Sequence, residues 1–392
     1  MSNYTELFKE KLSEAQDRIA YKRTLQKRSM ALQREVLALA NIRALLPELL
    51  AERSPDDMIK ELLYGRSQAP LEPYFVEKIK DYKCQGSFID VVRAPEQPRI
   101  FCTYHLGSYR AIICLLTRLG CDFSLVIDRN VIENQGERIR QMVGKISQYF
   151  QTEVDFDLIN AEDFNAAMRM VRTLSAGKSL VVYLDGNTGT GGVYRHDERL
   201  IKVKFFDTIL FARKGISYIS YITKVPIQPV IAYRERDIDV VLQFFDAIDP
   251  AQSQEGKHTF CLEVTQQLYR HLEQKLRQYP LQWEAWLYVH KYFDLEYLSQ
   301  QLAQRSLPMV TVKQDQSQEL VFNEDQYSLF QLGGDYFLFD NNSYQSHLIE
   351  ESLFRLLQSF HPVFSQYQES PLHTPDPEIL AQLLDNQILV YQ

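Results

Sequence analysis

The pattern of apolar and polar residues along the chain changes twice. Residues 3 to 65 are rich in Leu, Ala, Glu, Lys, Arg and Gln and contain few Gly or Pro. Apolar residues recur there at helical spacing, for example at Leu32, Val36 and Ile42, which predicts a helical front end. From about residue 97, short apolar runs alternate with amphipathic stretches. This alternation predicts an α/β fold in which helices flank a sheet of parallel strands.

The individual elements of the α/β part follow from the length and period of each run. Short apolar runs are typical of buried strands, whereas longer runs with apolar residues three or four apart are typical of helices. The predicted strands are at 99–104, 123–127, 154–159, 179–184, 227–233 and 240–245. The predicted helices are at 109–119, 134–150, 162–176, near 207–217 and at 258–278.

The composition changes again after Arg305, where Gln-rich polar stretches begin. Gly333 and Gly334 lie between two aromatic runs, a pattern typical of a β-hairpin. A helix is predicted at 347–360 and a short terminal strand at 388–391. The sequence therefore predicts three segments: a helical segment at 1–95, an α/β domain at 96–304 and a small α+β domain at 305–392.

Composition and charge limit the classes of function. Of the 392 residues, 45% are hydrophobic and 24% are charged, which is typical of a globular protein. The net charge of -8 gives no general attraction to nucleic acid or anionic lipid, since both need clustered Lys and Arg. The basic run at 22–28 is either a solvated helix face or a local contact with a membrane surface or an acidic carrier protein. We therefore expect no nucleic-acid partner and at most peripheral membrane contact.

The cysteines and the longest apolar windows indicate the compartment. The five cysteines are an odd number, lack a CxxC pair and mostly lie in apolar runs, which is typical of free thiols in a reducing compartment. Residues 1 to 27 lack the apolar core of a signal peptide. No window has the roughly 18 to 20 apolar residues that a membrane-spanning helix needs. These features predict a soluble cytoplasmic protein.

The segment from Phe101 to Arg110 is the strongest candidate for chemistry. It follows a predicted strand and opens a predicted helix, which is where α/β sheets carry their active groups. His105 lies in this loop, and its ordinary pKa near the working pH suits a general base. A single histidine in this pattern is equally compatible with a structural role, so spacing alone leaves both interpretations open.

Further motifs follow His105 in order along the chain. They are Gly107, the run 127–130 with Asn134 and Arg140, the runs 182–186 and 191–193, the run 204–207 with the strand at 226–229 behind it, and the Pro-x-x-Trp run 280–286 with His290. Over residues 95 to 295 this order resembles the lipid A biosynthesis acyltransferases, a branch of the lysophospholipid acyltransferase superfamily. The resemblance implies transfer of a fatty acyl group from an acyl-carrier-protein or coenzyme A thioester to a hydroxyl or amine. It implies no cofactor besides that thioester co-substrate.

The resemblance also implies a mechanism from which this chain departs. In the family, the histidine of a His-x4-Asp/Glu motif deprotonates the acceptor, and the acid orients the imidazole. Here the acid position is Arg110, which cannot accept the imidazole N–H and whose charge lowers the histidine pKa. Three alternatives stay open: Asp185 or Asp128 orients His105, a free amine acceptor needs only a weaker base, or the site does not catalyse. Arg110 is either a surface or ion-paired arginine or a ligand for phosphate or carboxylate.

Five residues are candidates for substrate binding. Arg129 is either an oxyanion or headgroup-phosphate ligand or a salt-bridged, helix-capping arginine. Gly189 belongs to the Gly-rich run 185–192, which is either a backbone nest for an anion or an ordinary loop. The other candidates are Tyr104, Tyr109 and Asn134. Trp283 and Trp286 are predicted core residues, and the histidines in polar loops lack ligand spacing, so we expect no metal.

Two departures from the family bear on the acceptor. Family members that act on lipid A usually begin with a membrane anchor, whereas the charged front end of this chain favours a soluble or weakly membrane-associated acceptor. The segment 305–392 faintly resembles small winged domains that bind leader peptides in ribosomal peptide pathways. A peptide held by an edge strand is therefore a candidate acceptor beside a small molecule.

Two other hypotheses compete with the acyltransferase. One is a non-catalytic protein that binds an acyl chain or a peptide on the same fold. The other is the fold recruited to a different reaction, with Arg110 holding an anionic substrate. An acid within hydrogen-bond reach of His105 favours the enzyme, whereas wholly cationic surroundings favour the binding protein.

Overall fold

The computed structural model describes residues 3–27, 33–94, 96–186, 199–305, 319–361 and 376–391. The chain divides into two compact units, one of Met1–Ala20 with Ser54–Phe293 and one of Tyr21–Arg53 with Asp294–Gln392. This division differs from the predicted boundaries at 95/96 and 304/305. The N-terminal helical segment is shared between the two units, and the second unit begins again at Asp294.

Helices occur throughout the described residues. In chain order they are α1 (Asn3–Lys27), α2 (Gln33–Leu45), α3 (Pro47–Glu52), α4 (Pro55–Gln68), α5 (Phe88–Arg93), α6 (Ala111–Arg118), α7 (Arg129–Phe150), α8 (Ala166–Ser175), α9 (Gly215–Thr223), α10 (Lys257–Leu276), α11 (Leu295–Arg305), α12 (Glu351–Ser359) and α13 (Pro377–Asp385). Short 3₁₀ helices lie at Glu72–Tyr74, Val76–Asp81, Pro280–Gln282, Glu284–Leu287 and Val289–Tyr292.

The first unit is built on a seven-stranded sheet. Its strands and a separate hairpin are β1 (Lys83–Gly86), β2 (Ile100–Thr103), β3 (Phe123–Ile127), β4 (Phe156–Asn160), β5 (Ser179–Tyr183), β6 (Leu200–Phe205), β7 (Thr208–Arg213), β8 (Ile227–Glu235) and β9 (Asp239–Phe244). The sheet order is β1-β9-β8-β2-β5-β3-β4, and all neighbours are parallel except β8 and β9. The unit is therefore α/β with a mainly parallel central sheet and flanking helices.

The central strands are apolar because helices cover both faces of the sheet. All four residues of β2 are buried. Along β3, Leu125 packs into the core formed with α6 and α7, whereas Val126 packs into the core formed with α8, α9 and α10. This alternation follows from the two-residue period of a strand. Because β2, β5, β3 and β4 are parallel to one another, their carboxyl ends meet at one edge of the sheet.

Most of the predicted strands and helices of this unit are confirmed, with ends shifted by a few residues. The helix predicted near 207–217 is wrong. Thr208–Arg213 is β7, which pairs antiparallel with β6, and the helix begins only at Gly215. Alternate residues of β7 are buried, as in a strand, but the run 209–212 is apolar throughout, so its period does not distinguish a strand from a helix. The pairing with β6 was not recognised from sequence.

The second unit is α+β, as predicted for the C-terminal segment. Its strands are β10 (Leu320–Phe322), β11 (Tyr327–Leu332), β12 (Asp335–Asp340), β13 (Gln345–Ile349) and β14 (Leu389–Tyr391). β11, β12 and β13 form an antiparallel sheet, and β10 pairs with β14. The predicted hairpin at Gly333 and Gly334 is confirmed. The helix predicted at 347–360 begins later, at Glu351, because its first residues belong to β13.

The helix α2 belongs to this second unit and supplies part of its core. Val36 and Ala40 of α2 pack with Phe330 of β11 and Phe339 of β12. The predicted N-terminal segment therefore does not form a separate module. Sequence spacing identified the helix, whereas its partner lies about 300 residues away along the chain.

Two sequence predictions concern the whole chain. All five cysteines are free thiols, four of them buried and Cys84 half-buried, which confirms the prediction of free thiols. Among the residues that the structure describes, no helix has the length and apolar sequence to cross a bilayer.

Candidate active site

The loop that carries His105 joins β2 to α6 and is held by main-chain hydrogen bonds. The N–H of Gly107 donates to the Gln282 carbonyl (2.8 Å), and the N–H of Glu284 donates to the His105 carbonyl (2.9 Å). These bonds join the loop to the Pro-x-x-Trp run, which is remote in sequence. The run therefore supports the loop along one side.

A buried ion pair supports the loop along the other side. Arg234 Nε lies 2.6 Å from Glu72 Oε1, and each side chain is 3% exposed. Arg234 Nη2 donates to the Gly107 carbonyl (3.0 Å), and Ser108 Oγ donates to Glu72 Oε1 (2.9 Å). Gly107 has φ +53°, and a Cβ there would lie 2.7 Å from Tyr233 Cα. Only glycine fits this close approach, so the backbone at His105 is tightly constrained.

Asp185 reaches His105 because of the register between two neighbouring strands. In the parallel pair of β2 and β5, Thr103 lies opposite Tyr183. His105 and Asp185 each come two residues later, so both emerge at the same edge of the sheet. Imidazole Nδ1 lies 2.9 Å from Asp185 Oδ1. Of the two acids that the sequence left open, Asp185 is the one that contacts the histidine.

The Asp185 carboxylate is 4% exposed and accepts hydrogen bonds from two neighbours. The main-chain N–H of His105 donates to both carboxylate oxygens (3.1 and 3.0 Å), and Trp283 Nε1 donates to Oδ2 (2.7 Å). These hydrogen bonds fix the orientation of the carboxylate toward the imidazole. We assign the Nδ1 proton to the bond with Asp185, which leaves Nε2 as the acceptor of the neutral ring.

Two tyrosines enclose the imidazole. Tyr183 stacks on the ring, with centroids 4.6 Å apart and an interplanar angle of 26°. Tyr109 approaches edge-on at 4.9 Å. The Tyr183 hydroxyl donates to the Tyr109 carbonyl (2.8 Å), which links the two walls. The His105 side chain keeps 24% exposure, so the ring is restrained but accessible.

Neighbouring charges determine the pKa of His105. Burial lowers this pKa, whereas the charge of Asp185 and its hydrogen bond raise it. Glu284 adds to the increase and Arg110 opposes it, and the net result is a pKa above the ordinary value of 6.5. The predicted effect of Arg110 is present, but the carboxylates outweigh it.

Arg110 is directed to other partners. Its Nη2 donates to Gln135 Oε1 (2.9 Å), and its guanidinium lies 5.8 Å from the centroid of the Tyr109 ring. Arg110 and Gln135 both line a cavity beside His105. Arg110, which stands where the motif it resembles has an acid, is thus a cation of the cavity wall, and the carboxylate that contacts His105 is that of Asp185.

The cavity has a volume of about 940 Å³ and lies at the carboxyl edge of the parallel strands. Its walls reach both faces of the sheet and are mainly apolar. The lining includes Ile113, Leu125, Ile139 and Met142 on the α6–α7 face and Ala166, Met170, Val182 and Leu268 on the α8–α10 face. Such an edge is the usual ligand site of an open parallel sheet, and the volume suits a small molecule.

The candidates for substrate binding separate into two groups. Tyr109 lines the cavity with His105. Tyr104 is 2% exposed and packs edge-on against Tyr269 at 5.8 Å, so it lies in the core. Gly189 and the rest of 187–198 lie outside the described residues.

Arg129 and Asn134, near the start of α7, are turned to solvent. Arg129 is 60% exposed, with its Nη2 3.8 Å from Asp163, and neither Arg129 nor Asn134 is among the cavity-lining residues. Asn134 is exposed and donates to the Asn130 carbonyl (2.8 Å). Asp128 begins α7 as its N-cap, accepting from the main-chain N–H of Val131 (2.9 Å). Arg129 and Asn134 therefore do not reach His105, whereas Asp128 lines the same cavity as His105 and is held in the cap of α7.

Some of the contacts around His105 were not predicted from sequence. Trp283 and Trp286 are buried, as predicted, but the hydrogen bond from Trp283 to Asp185 was not expected. Tyr183 was also missed, although the strand period puts it on the same side as Asp185 and could have indicated it. In the described ranges, no three His, Cys, Asp or Glu side chains converge as metal ligands.

No protein-family model matches the chain, and no curated protein matches its sequence. The resemblance to the lipid A acyltransferases therefore depends on the short motifs alone. Function has to be argued from the geometry of the site.

Proposed function

We propose that this protein transfers a fatty acyl group from a carrier-protein or coenzyme A thioester to a hydroxyl or amine. The observation that carries the proposal is the hydrogen bond between His105 Nδ1 and the buried Asp185 carboxylate, beside an apolar-walled cavity. By the criterion stated from sequence, an acid in reach of the histidine favours an enzyme over a binding protein.

The histidine acts as general base and then as general acid. Nε2 of neutral His105 takes the proton of the acceptor O–H or N–H as the acceptor attacks the thioester carbonyl carbon. Asp185 holds the ring tautomer and stabilises the imidazolium that forms. The tetrahedral intermediate expels the thiolate as the C–S bond breaks, and the imidazolium returns a proton to it. The products are an ester or amide and a free thiol.

The cavity suits the acyl chain of the donor. The apolar side chains of Ile113, Leu125 and Met142 line it on the same face of the sheet as Tyr183, which stacks on His105. Transfer of an alkyl chain into such a space gains about 0.8 kcal/mol for each buried CH₂. Since water is excluded where the walls are apolar, charges near the thioester act more strongly there.

Convergence of the motifs supports the family assignment within this proposal. Three segments that resemble the family meet at one carboxylate: His105 and Trp283 are 80 and 98 residues from Asp185, and both bond to it. The run with Arg129 does not join them. Oxyanion support by Arg129 is therefore not part of the proposal.

A peptide remains our proposed acceptor beside a small molecule. β13 pairs with β12 on one side only within the described residues, so its other edge is open for a further strand. Its residues are mostly exposed, including Leu348 at 69%. Adding a β-strand peptide to this edge would present main-chain hydrogen bonds and a side-chain contact.

The test is turnover of a thioester by the full chain. Long-chain acyl-CoA and acyl carrier protein are incubated with the wild type, His105→Ala and His258→Ala, and thiol release and acylated products are measured by intact mass. His258 is exposed at the start of α10 and serves as the matched control. We expect turnover in the wild type and the control and its loss in His105→Ala. Equal turnover in all three contradicts the proposal, and acyl-chain binding without turnover favours the binding protein.

A further inference from the structure

The wall of the cavity formed by β7 and α9 carries two adjacent cations. Along β7, Phe211 and Arg213 lie on the half-exposed face, and both line the cavity. Lys214 follows as the N-cap of α9 and lines it too. The first turn of α9 lies at the same wall, so the positive end of the helix adds to the two charges.

These two cations lack side-chain partners within the described part of the chain. No hydrogen bond or ion pair joins the Arg213 guanidinium or the Lys214 ammonium to another described residue, although Arg213 is half-buried. A guanidinium has five donors in a planar fork that matches a carboxylate or phosphate. An arginine at a cavity wall that has no partner among the described residues is therefore available to a ligand.

The acids of the cavity are already bonded to other groups. Asp128 accepts a hydrogen bond from the main-chain N–H of Val131, and Glu162 accepts one from the main-chain N–H of Arg129. Asp163 accepts from the Asn160 side chain, and Glu284 forms an ion pair with Arg66. None of these contacts involves Arg213 or Lys214. The charged side chains that β7 and α9 contribute to this wall are both cationic, even though the whole chain is acidic.

We propose that Arg213 and Lys214 bind the anionic group, a phosphate or a carboxylate, of a substrate that occupies the cavity. The inference extends the proposed acyl transfer and depends on it for the identity of that substrate, but not for the presence of the anion site. Two sources have this chemistry: the phosphate of the donor's pantetheine arm and an acidic group of the acceptor.

Arg213 lies in the electrostatic neighbourhood of the catalytic pair. Tyr292 links them, because its hydroxyl donates to the carbonyl of Gly186, the residue after Asp185. Burial raises the pKa of Tyr292, the charge of Arg213 opposes this increase, and Asp185 adds to it. An anion at Arg213 would thus lie in the same cavity as a group that reacts at His105.

The first experiment measures binding of inorganic phosphate by calorimetry at low ionic strength. We compare the wild type with Arg213→Gln, Lys214→Gln and Lys204→Gln. Lys204 is the matched control, since it is an exposed cation on the same hairpin and does not line the cavity. We expect affinity to fall about tenfold or more in the two cavity variants, as removal of a charge-assisted hydrogen bond predicts, and to stay unchanged in the control.

The second experiment distinguishes the sources by comparing coenzyme A with pantetheine, which lacks the phosphates. A wild-type preference for coenzyme A that disappears in Arg213→Gln assigns the site to the donor. A preference that is unchanged in this variant, with phosphate binding lost, assigns it to the acceptor. Far-ultraviolet circular dichroism and thermal melting without phosphate check that each variant is folded.

The anion site is overturned if phosphate binds the wild type and Arg213→Gln equally, if it does not bind the wild type, or if Lys204→Gln loses as much affinity. The same titration on His105→Ala separates this result from the proposed function. Phosphate binding retained by His105→Ala, with no turnover by the wild type, supports the anion site and removes the acyltransferase. Turnover by the wild type, with phosphate binding unaffected by Arg213→Gln, supports the acyltransferase and removes the anion site.

Discussion

The loop at His105 and the start of α7 both carry residues that resemble the family motifs, but their side chains are held differently. His105 bonds to Asp185, which is 80 residues away and 4% exposed. Arg129 and Asn134 are exposed and make contacts over at most 34 residues, at the helix surface. Buried bonds between remote segments can fix a reactive geometry, whereas exposed pairs contribute little. Resemblance in sequence therefore carries more weight at the first region than at the second.

The largest effect is expected from Asp185→Asn, which keeps the shape of the side chain but lets the amide select the wrong imidazole tautomer. We expect turnover to fall by about 10³- to 10⁴-fold, as for a triad aspartate. The measurement is single-turnover thiol release. Asn134→Ala is the control, because Asn134 is exposed near the start of α7 and does not line the cavity. A small loss in Asp185→Asn, or an equal loss in the control, would remove the distinction between the two regions.

The next effect concerns the stability of the His105 loop. Arg234→Leu leaves Glu72 as an unpaired buried charge, and we expect the free energy of unfolding to fall by about 3–5 kcal/mol. Arg66→Leu breaks another Arg–Glu pair, with Glu284, in which Arg66 is 43% exposed. There we expect a loss of about 0–1 kcal/mol. Urea denaturation of both variants makes the comparison, and similar losses would show that burial of the first pair is unimportant.

A smaller effect is expected from Trp283→Phe, which removes one donor from the Asp185 carboxylate. Loss of one hydrogen bond to a charged group predicts a decrease in turnover of about tenfold. Trp286→Phe is the matched control, since its Nε1 donates to the Pro280 carbonyl. We expect that variant to lose stability but to keep its turnover relative to the folded fraction. Equal turnover in the two variants would mean that Trp283 is only a core residue.

The smallest effect is a shift in pH dependence from Arg110→Gln. The base must be neutral, so turnover should rise with pH through the pKa of His105, which lies above 6.5. Because the charge of Arg110 lowers this pKa, its removal should move the rising limb to higher pH. Arg129→Gln, at the start of α7, should leave the limb in position. A shift to lower pH in Arg110→Gln would contradict the assigned electrostatics.

Much of the α/β unit was predictable because buried parallel strands are short apolar runs, as at Phe123–Ile127. The hairpin at β6 and β7 was not, because a short apolar run has no unique meaning until its partner strand is known. The packing of α2 against β11 and β12 could not be predicted for the same reason. An amphipathic helix specifies that one face is covered, but not by which segment.

In the candidate site, too, single residues could be identified from sequence, whereas their contacts could not. His105 could be identified from its own sequence, because a histidine between a strand and a helix reaches the carboxyl edge of the sheet. Arg110 could be recognised as unfit to orient it from its chemistry alone. The choice of Asp185 over Asp128 required the register of β2 with β5. Neither carboxylate differs from the other in local sequence in a way that reveals this register.

By itself, the sequence determined the class of the fold, the position of the candidate base and the presence of Arg110 where the motif it resembles has an acid. Each of these depends on the residue types and on their periodicity along the chain. Only the tertiary structure decided the partner of His105, the burial of Tyr104, the exposure of Arg129 and the position of Arg213 and Lys214 at the cavity wall. These features depend on which remote segments meet, since hydrogen bonds and burial act through space rather than along the chain.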